Sequence, residues 1–262
     1  VLIKRSLQFL GGYLVLALGF LALAGELGAQ SWRTASREPA GLAPDPATTP
    51  EAVVQVYAAR AVSWRGTFGV HTWIAVKPTG AERFTVYEVL GYQTRRTGNG
   101  VRASQRAADG YWFGNRPLLL ADVRGAGVDG IIERIAAAVE DYPFATSYRI
   151  WPGPNSNTFT AHVLRAVPEL SVDLPAHAIG KDYLGSSIAA VTPSRTGGQL
   201  SFFGLAGLLV GWREGIEINL IGLTFGVNPG DLALKLPMLG NVGLGGAIEP
   251  RFLPKNPVTG SD

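Results

Sequence analysis

Cysteine is absent from this 262-residue chain, histidine occurs three times and methionine once. The missing thiol excludes disulfides, cysteine-ligated metals and thiol nucleophiles, and it fits an extracytoplasmic protein. The histidines, at 71, 162 and 177, are scattered and have no clustered carboxylates beside them. No metal or other cofactor is expected from such a pattern. Charge is also scarce, at 16% of residues with a net charge of +3. Without a concentrated basic helix or interleaved basic and aromatic residues, nucleic acid is not expected as a partner. No glycine-rich phosphate loop stands between a strand and a helix.

Against these absences, 47% of the residues are hydrophobic, enough for one sizeable core, and 34 glycines and 17 prolines call for turns and short strands rather than a helical bundle. Lys4 and Arg5 precede an apolar run from Leu7 to Ala24. Its length sits near the lower limit for crossing a bilayer, and Ala22-Leu23-Ala24 is an acceptable cleavage site, so an uncleaved anchor and a signal peptide compete. The anchor is the favoured reading, with residues 1–29 as a transmembrane helix. Either reading sends the rest of the chain outward across the membrane. Residues 30–50, with four prolines among small residues, are expected to be an extended linker.

The folded part is expected over residues 51–244, with a frayed tail over 245–262. Val53 to Tyr57 reads as a first strand, and Thr67 to Lys77 alternates with period two. Pro78 to Ala81 forms a turn before a third β-rich run, Arg83 to Gly91. A hairpin centred on Thr79 and Gly80 with a two- or four-residue loop puts His71 opposite Glu88 on one face. A three- or five-residue loop puts Tyr87 or Val89 there instead. Gln93 to Asp109 carries Arg95, Arg96, Arg102 and Arg106, read as a solvated strand or loop ahead of a contact with an anionic surface.

Another strand is expected within Arg116 to Val123. An amphipathic helix is expected from Gly130 to Tyr142 and a second from about Asn157 to Pro168. Gln199 to Phe225 is apolar but interrupted by charged and polar residues, which argues against a membrane helix. It reads as a hairpin buried in the core or lying on a partner or a membrane.

Trp151-Pro152-Gly153-Pro154-Asn155-Ser156-Asn157-Thr158-Phe159 places a hydroxyl where a Gly/Pro-rich loop becomes a helix. At a helix start Ser156 would have backbone N–H groups and the positive dipole end beside it, as a nucleophile needs, although a helix cap explains the same residues. A serine also requires a base held by a third group. His71 is the candidate base and Glu88 its candidate orienter. His162 and His177 are weaker choices.

The chain resembles a bacterial family known only as a domain of unknown function, number 3750. The phrases that carry the likeness include Ser31-Trp32-Arg33-Thr34-Ala35, Val54 to Arg60, Trp64-Arg65-Gly66, Val70-His71-Thr72-Trp73, Trp151 to Phe159, Gly180-Lys181-Asp182-Tyr183 and Ala233 to Pro237. This resemblance spans Trp32 to about Leu244 and implies no activity.

A looser resemblance is to the circularly permuted papain-like superfamily, which includes cell-wall amidases and lecithin:retinol acyltransferase-like enzymes. In that order of elements a strand-borne His, a polar residue on the next strand and an Asn-Cys-x-x-Phe/Trp helix start correspond to His71, Glu88 and Asn155 to Phe159. Ser156 stands where the cysteine would be.

These readings together imply an α+β domain, an antiparallel sheet packed by helices, on the periplasmic side of the bacterial inner membrane. The favoured function is a non-catalytic accessory subunit of a membrane-protein complex, with membrane lipid and other subunits as partners. The alternative is a cell-envelope hydrolase or acyltransferase acting on an amide or ester through Ser156, His71 and Glu88.

Overall fold

A computed structural model of the chain describes residues 2–23, 33–244 and 248–253. After helix α1 (Leu2–Leu23), strand β1 (Val53–Arg60) leads through a single turn, α2 (Arg65–Phe68), into β2 (Val70–Lys77) and β3 (Thr85–Val89). Helix α3 (Gly91–Thr97), β4 (Val101–Gln105), β5 (Leu118–Arg124), α4 (Val128–Glu140) and α5 (Ser156–Ala166) follow. These elements build one six-stranded sheet in the order β13-β5-β1-β2-β3-β4, where β13 (Arg251–Phe252) adds a parallel edge. The tail expected to fray therefore contributes a strand in its described part.

Strand β1 is central and apolar on both sides, so both faces of this sheet are covered. Val54, Val56, Ile74 and Val76 pack against Ile131, Ile135, Phe159 and Leu164 of α4 and α5. Val53, Tyr57, Trp73 and Val86 form a second cluster on the opposite face, joined by Leu42, Ala43 and Trp112. The segment expected as a linker is thus fastened in its described part: the backbone N–H groups of Leu42 and Ala43 donate to Asp109 Oδ2 at 2.6 and 3.2 Å, and Pro39 bridges to Gly110. The basic stretch Gln93 to Asp109 is part helix and part strand.

The C-terminal third corrects the expected hairpin. It is a seven-stranded antiparallel meander of β6 (Ala189–Val191), β7 (Gly197–Phe202), β8 (Ala206–Gly211), β9 (Gly215–Leu220), β10 (Leu223–Asn228), β11 (Ala233–Leu236) and β12 (Gly240–Gly243). Within the strands polar residues alternate with apolar ones and face inward: Gln199, Ser201, Glu217, Asn219, Thr224 and Lys235 are buried. On that inner side Lys235 Nζ lies 2.5 Å from both Asp173 and Glu217, and Lys181 pairs with Glu217 and, at 3.5 Å, with Asp182. Asp182 also accepts from Gln199 and Asn219.

Helix α1 lies against this second sheet. The Tyr13 ring meets Phe225 edge-on and its hydroxyl donates to the Pro237 carbonyl at 2.5 Å, while Ala17 and Leu21 are buried beside Met238. Among the described residues, no helix is long and apolar enough to cross a membrane, so the expected transmembrane span finds no support there. The Ala22-Leu23-Ala24 site and the start of the 30–50 segment run beyond the described residues.

Removing one partner of a buried ion pair leaves the others uncompensated. Lys235→Met is therefore expected to lower unfolding free energy by about 3–5 kcal/mol. Urea denaturation followed by tryptophan fluorescence checks this, and an unchanged midpoint would show that the inner network does not hold the second sheet.

Candidate functional site

Strand β2 decides which residues can meet. Thr72 belongs to the face covered by α5, while His71 belongs with Trp73 to the other. Register between β2 and β3 pairs Ile74 with Tyr87 and Val76 with Thr85. Extended, it sets Trp73, not His71, opposite Glu88. The expected pairing is therefore displaced by two residues, because the connection from Lys77 to Thr85 is longer than a tight hairpin turn. A two-residue displacement preserves the face. His71 and Glu88 are diagonal neighbours, and His71 Nε2 lies 2.9 Å from Glu88 Oε2.

Both groups are buried, and Trp112 stacks flat on the imidazole with ring centroids 3.8 Å apart. Burial pushes the His71 pKa below its ordinary value despite the hydrogen bond it donates to Glu88. Burial alone would raise the Glu88 pKa; the bond to His71 and the charges of His71, Arg106 and Arg102 hold it below the usual carboxylate range instead. Arg106 Nη2 lies 3.5 Å from the same oxygen, Glu88 Oε2.

Ser156 opens α5, but it does not cap it. Asn155 is the cap: its side chain accepts from the N–H groups of Asn157 and Thr158, and the Asn155 N–H donates to the Thr158 hydroxyl. This reciprocal pair satisfies the helix end and leaves the Ser156 hydroxyl without a hydrogen bond among the described residues. The helix is then pinned around His71. Asn157 donates to the Val70 carbonyl at 3.0 Å, and the Thr72 hydroxyl lies 3.3 Å from the Ser156 carbonyl and 3.0 Å from Asn157 Oδ1.

The cap is itself held by residues 179 and 180. Asn155 and Asn157 both donate to the Ile179 carbonyl, and Thr158 to that of Gly180. Gly180 has φ +95°, and a Cβ there would stand 2.4 Å from the Asn155 amide, so only glycine lets the two approach.

Ser156 and His71 line one cavity of about 520 Å³, walled mostly by Trp64, Phe68, Tyr92, Trp112, Tyr148 and Trp151. No hydrogen bond joins them: they reach the cavity from opposite faces of the sheet, at the strand end where it can pass between them. The structure brings His71 and Glu88 into contact and leaves Ser156 as their neighbour across that space. His162 donates from Nε2 to the Ala138 carbonyl and is remote from the cavity lining. His177 is buried, and its Nδ1 has no partner among the described residues. Trp112, Arg106 and Thr72 were not legible as site residues, Trp112 because it lies far along the chain from His71; Asn155 with Thr158 carries a local capping signature. No group of residues suited to a metal occurs among the described residues.

The fold and this constellation define an α+β protein with a buried His–Glu pair facing a helix-borne hydroxyl. Residues 51–183, just over half of the chain, match the family described as Protein of unknown function (DUF3750), and the chain belongs to that family. The match covers β1 to β5 of the first sheet, both packed helices and the 177–183 loop, and ends before the second sheet. No curated protein and no solved structure matches the chain.

Burial, with the Arg60 charge adding to it, pushes the His177 pKa down to about 3. Between the unfolded value of about 6.5 and that level the unfolded state binds the extra proton, so stability falls as pH drops through this window. The stability difference between wild type and His177→Gln should change by about 1.4 kcal/mol per pH unit there. Paired urea titrations from pH 7 to 4 measure it; a difference independent of pH would contradict a neutral buried imidazole.

Proposed function

We propose that the cavity is a nucleophilic site acting on an amide or ester, with Ser156 as nucleophile, His71 as base and Glu88 as the group that orients it. One observation carries this reading: Asn155 takes over the capping task, so the hydroxyl at the first position of α5 remains available beside a buried His–Glu pair. The helix N-terminus supplies positive charge density where an oxyanion would develop. Glu88, charged and bonded to Nε2, fixes the tautomer that carries its proton on Nε2 and leaves Nδ1 as the basic nitrogen. A hydroxyl proton transferred to Nδ1 upon attack would yield an imidazolium stabilised by Glu88, and the same proton would then pass to the leaving amine or alcohol.

The order His71, Glu88, Asn155 to Phe159 agrees with a permuted papain-like arrangement in which serine replaces the thiol. Lys4 and Arg5 ahead of the apolar run support a cell-envelope location with the domain on the periplasmic side. The second reading is a non-catalytic accessory subunit of a membrane complex. It is favoured by the missing hydrogen bond between His71 and Ser156, since a serine without a base in contact is a poor nucleophile.

Labelling by a fluorophosphonate probe separates the two. The catalytic reading expects labelling of the wild type, no labelling of Ser156→Ala, and labelling at least about a hundredfold slower in His71→Ala, in line with the loss of an acid–base group. Because the His71 pKa is depressed, the acid limb of the labelling rate should lie below the ordinary imidazole value of about 6.5. A folded wild type that takes no label favours the accessory subunit.

A further inference from the structure

The second sheet is polar inside and apolar outside, the reverse of an ordinary soluble sheet. Every outward position from β6 to β12 is Gly, Ala, Val, Leu, Ile or Phe. Register aligns them in rows, one running Leu200, Leu208, Ile218, Phe225 across four strands. Leu208 and Ile218 are 44% and 48% exposed, at the centre of the sheet. Seven strands about 4.8 Å apart, of three to six residues and so about 17 Å long on average, give a face on the order of 500–600 Å², at the upper end of apolar patches on monomers.

We infer that this face docks on the hydrocarbon of a lipid bilayer. Three observations select lipid over another protein. A protein interface of this size would call for about three to six hydrogen bonds, yet the outward positions hold no polar side chain and the backbone groups are engaged within the sheet. Apolar-out and polar-in alternation is the pattern of lipid-facing strands. Finally, the apolar helix α1 is seated on the same sheet through Tyr13 and Phe225 and turns Val15 and Leu16 outward, 68% and 75% exposed, so helix and sheet form one continuous apolar margin.

The turn tips at that end reinforce the assignment. Phe203 and Ile221 occupy left-handed backbone positions, with φ of 54° and 56°. Glycine or asparagine usually fills such positions, and an isoleucine there is costly. Phe203 and Ile221 are nonetheless more than 60% exposed. Six-residue strands are shorter than the roughly 9–11 residues needed to span a bilayer, so the sheet enters one leaflet. Leu223 of this sheet also lines the cavity that holds Ser156, and Trp151 donates to the Ile221 carbonyl, which places the candidate site at the end that carries these tips.

The lack of native cysteine makes the test direct. Full-length Leu208→Cys and Ile218→Cys, each carrying an environment-sensitive fluorophore, are reconstituted into palmitoyl-oleoyl-phosphatidylcholine vesicles doped with a nitroxide-labelled lipid. Arg134→Cys, on exposed α4, serves as the reference. The sheet labels should lose most of their emission to the lipid quencher and resist aqueous iodide, with the Arg134 label behaving oppositely. Sheet labels quenched by iodide would overturn the inference, since the apolar face would then stand in water. Labels shielded from both quenchers would overturn it in favour of a second copy or another protein. Neither result bears on Ser156, whose reactivity is read separately.

Discussion

Turning an apolar face outward obliges the second sheet to carry its polar residues inward, and the ion network around Glu217 is the consequence. Two lysines and three carboxylates lie almost wholly out of water between the sheet and the segment 173–182. Each is tolerable only because the others are present. Burial and the neighbouring Glu217 raise the Asp173 pKa to about 6 even with Lys235 beside it, a sign of how much negative charge the cluster holds. Without this pairing the sheet would have no inner face that could be buried.

The same segment fixes the candidate site. Within residues 177–183 the His177 carbonyl accepts from the Val70 N–H of β2, Ile179 and Gly180 hold the Asn155 cap, and Lys181 and Asp182 join the ion network. One short stretch therefore ties the first sheet, helix α5 and the second sheet together. The position of Ser156 relative to His71 follows from contacts made on three sides, none of which involves the hydroxyl itself. A side chain held in place by its neighbours, yet free of bonds of its own, is what distinguishes Ser156 from the buried threonines next to it, Thr158 and Thr160, both of which are bonded.

Much of the first sheet was legible because each element announced itself by one dominant period. Val70 to Lys77 alternates, Ile131, Ile135 and Val139 recur at helical spacing, and Asn155 with Thr158 marks a helix start. The partnership of His71 with Glu88 was legible only as a shared face. The loop from Pro78 to Phe84 set the register, and nothing local in those residues fixes its length. The second sheet was misread as a hairpin for a physical reason. Alternation with apolar residues outside looks identical, letter by letter, to alternation with apolar residues inside, and only the lysines and acids at inward positions reveal which is which. Trp112 could not be assigned to His71 at all, because stacking across some forty residues leaves no trace in spacing.

The two sheets solve one problem in opposite ways. A sheet buried on both faces, like the first, draws its apolar partners from the chain itself: α4 and α5 on one side, Leu42, Trp112 and their neighbours on the other. The second sheet supplies its own polar partners internally and leaves the apolar requirement to its surroundings. At about 25 cal/mol per Å², an exposed face of several hundred Å² corresponds to on the order of 10 kcal/mol, comparable to the whole stability of a typical domain. Covering that face would change the balance more than any single side chain within it, and the loop that holds Ser156 is joined to the sheet by Lys181 and Asp182.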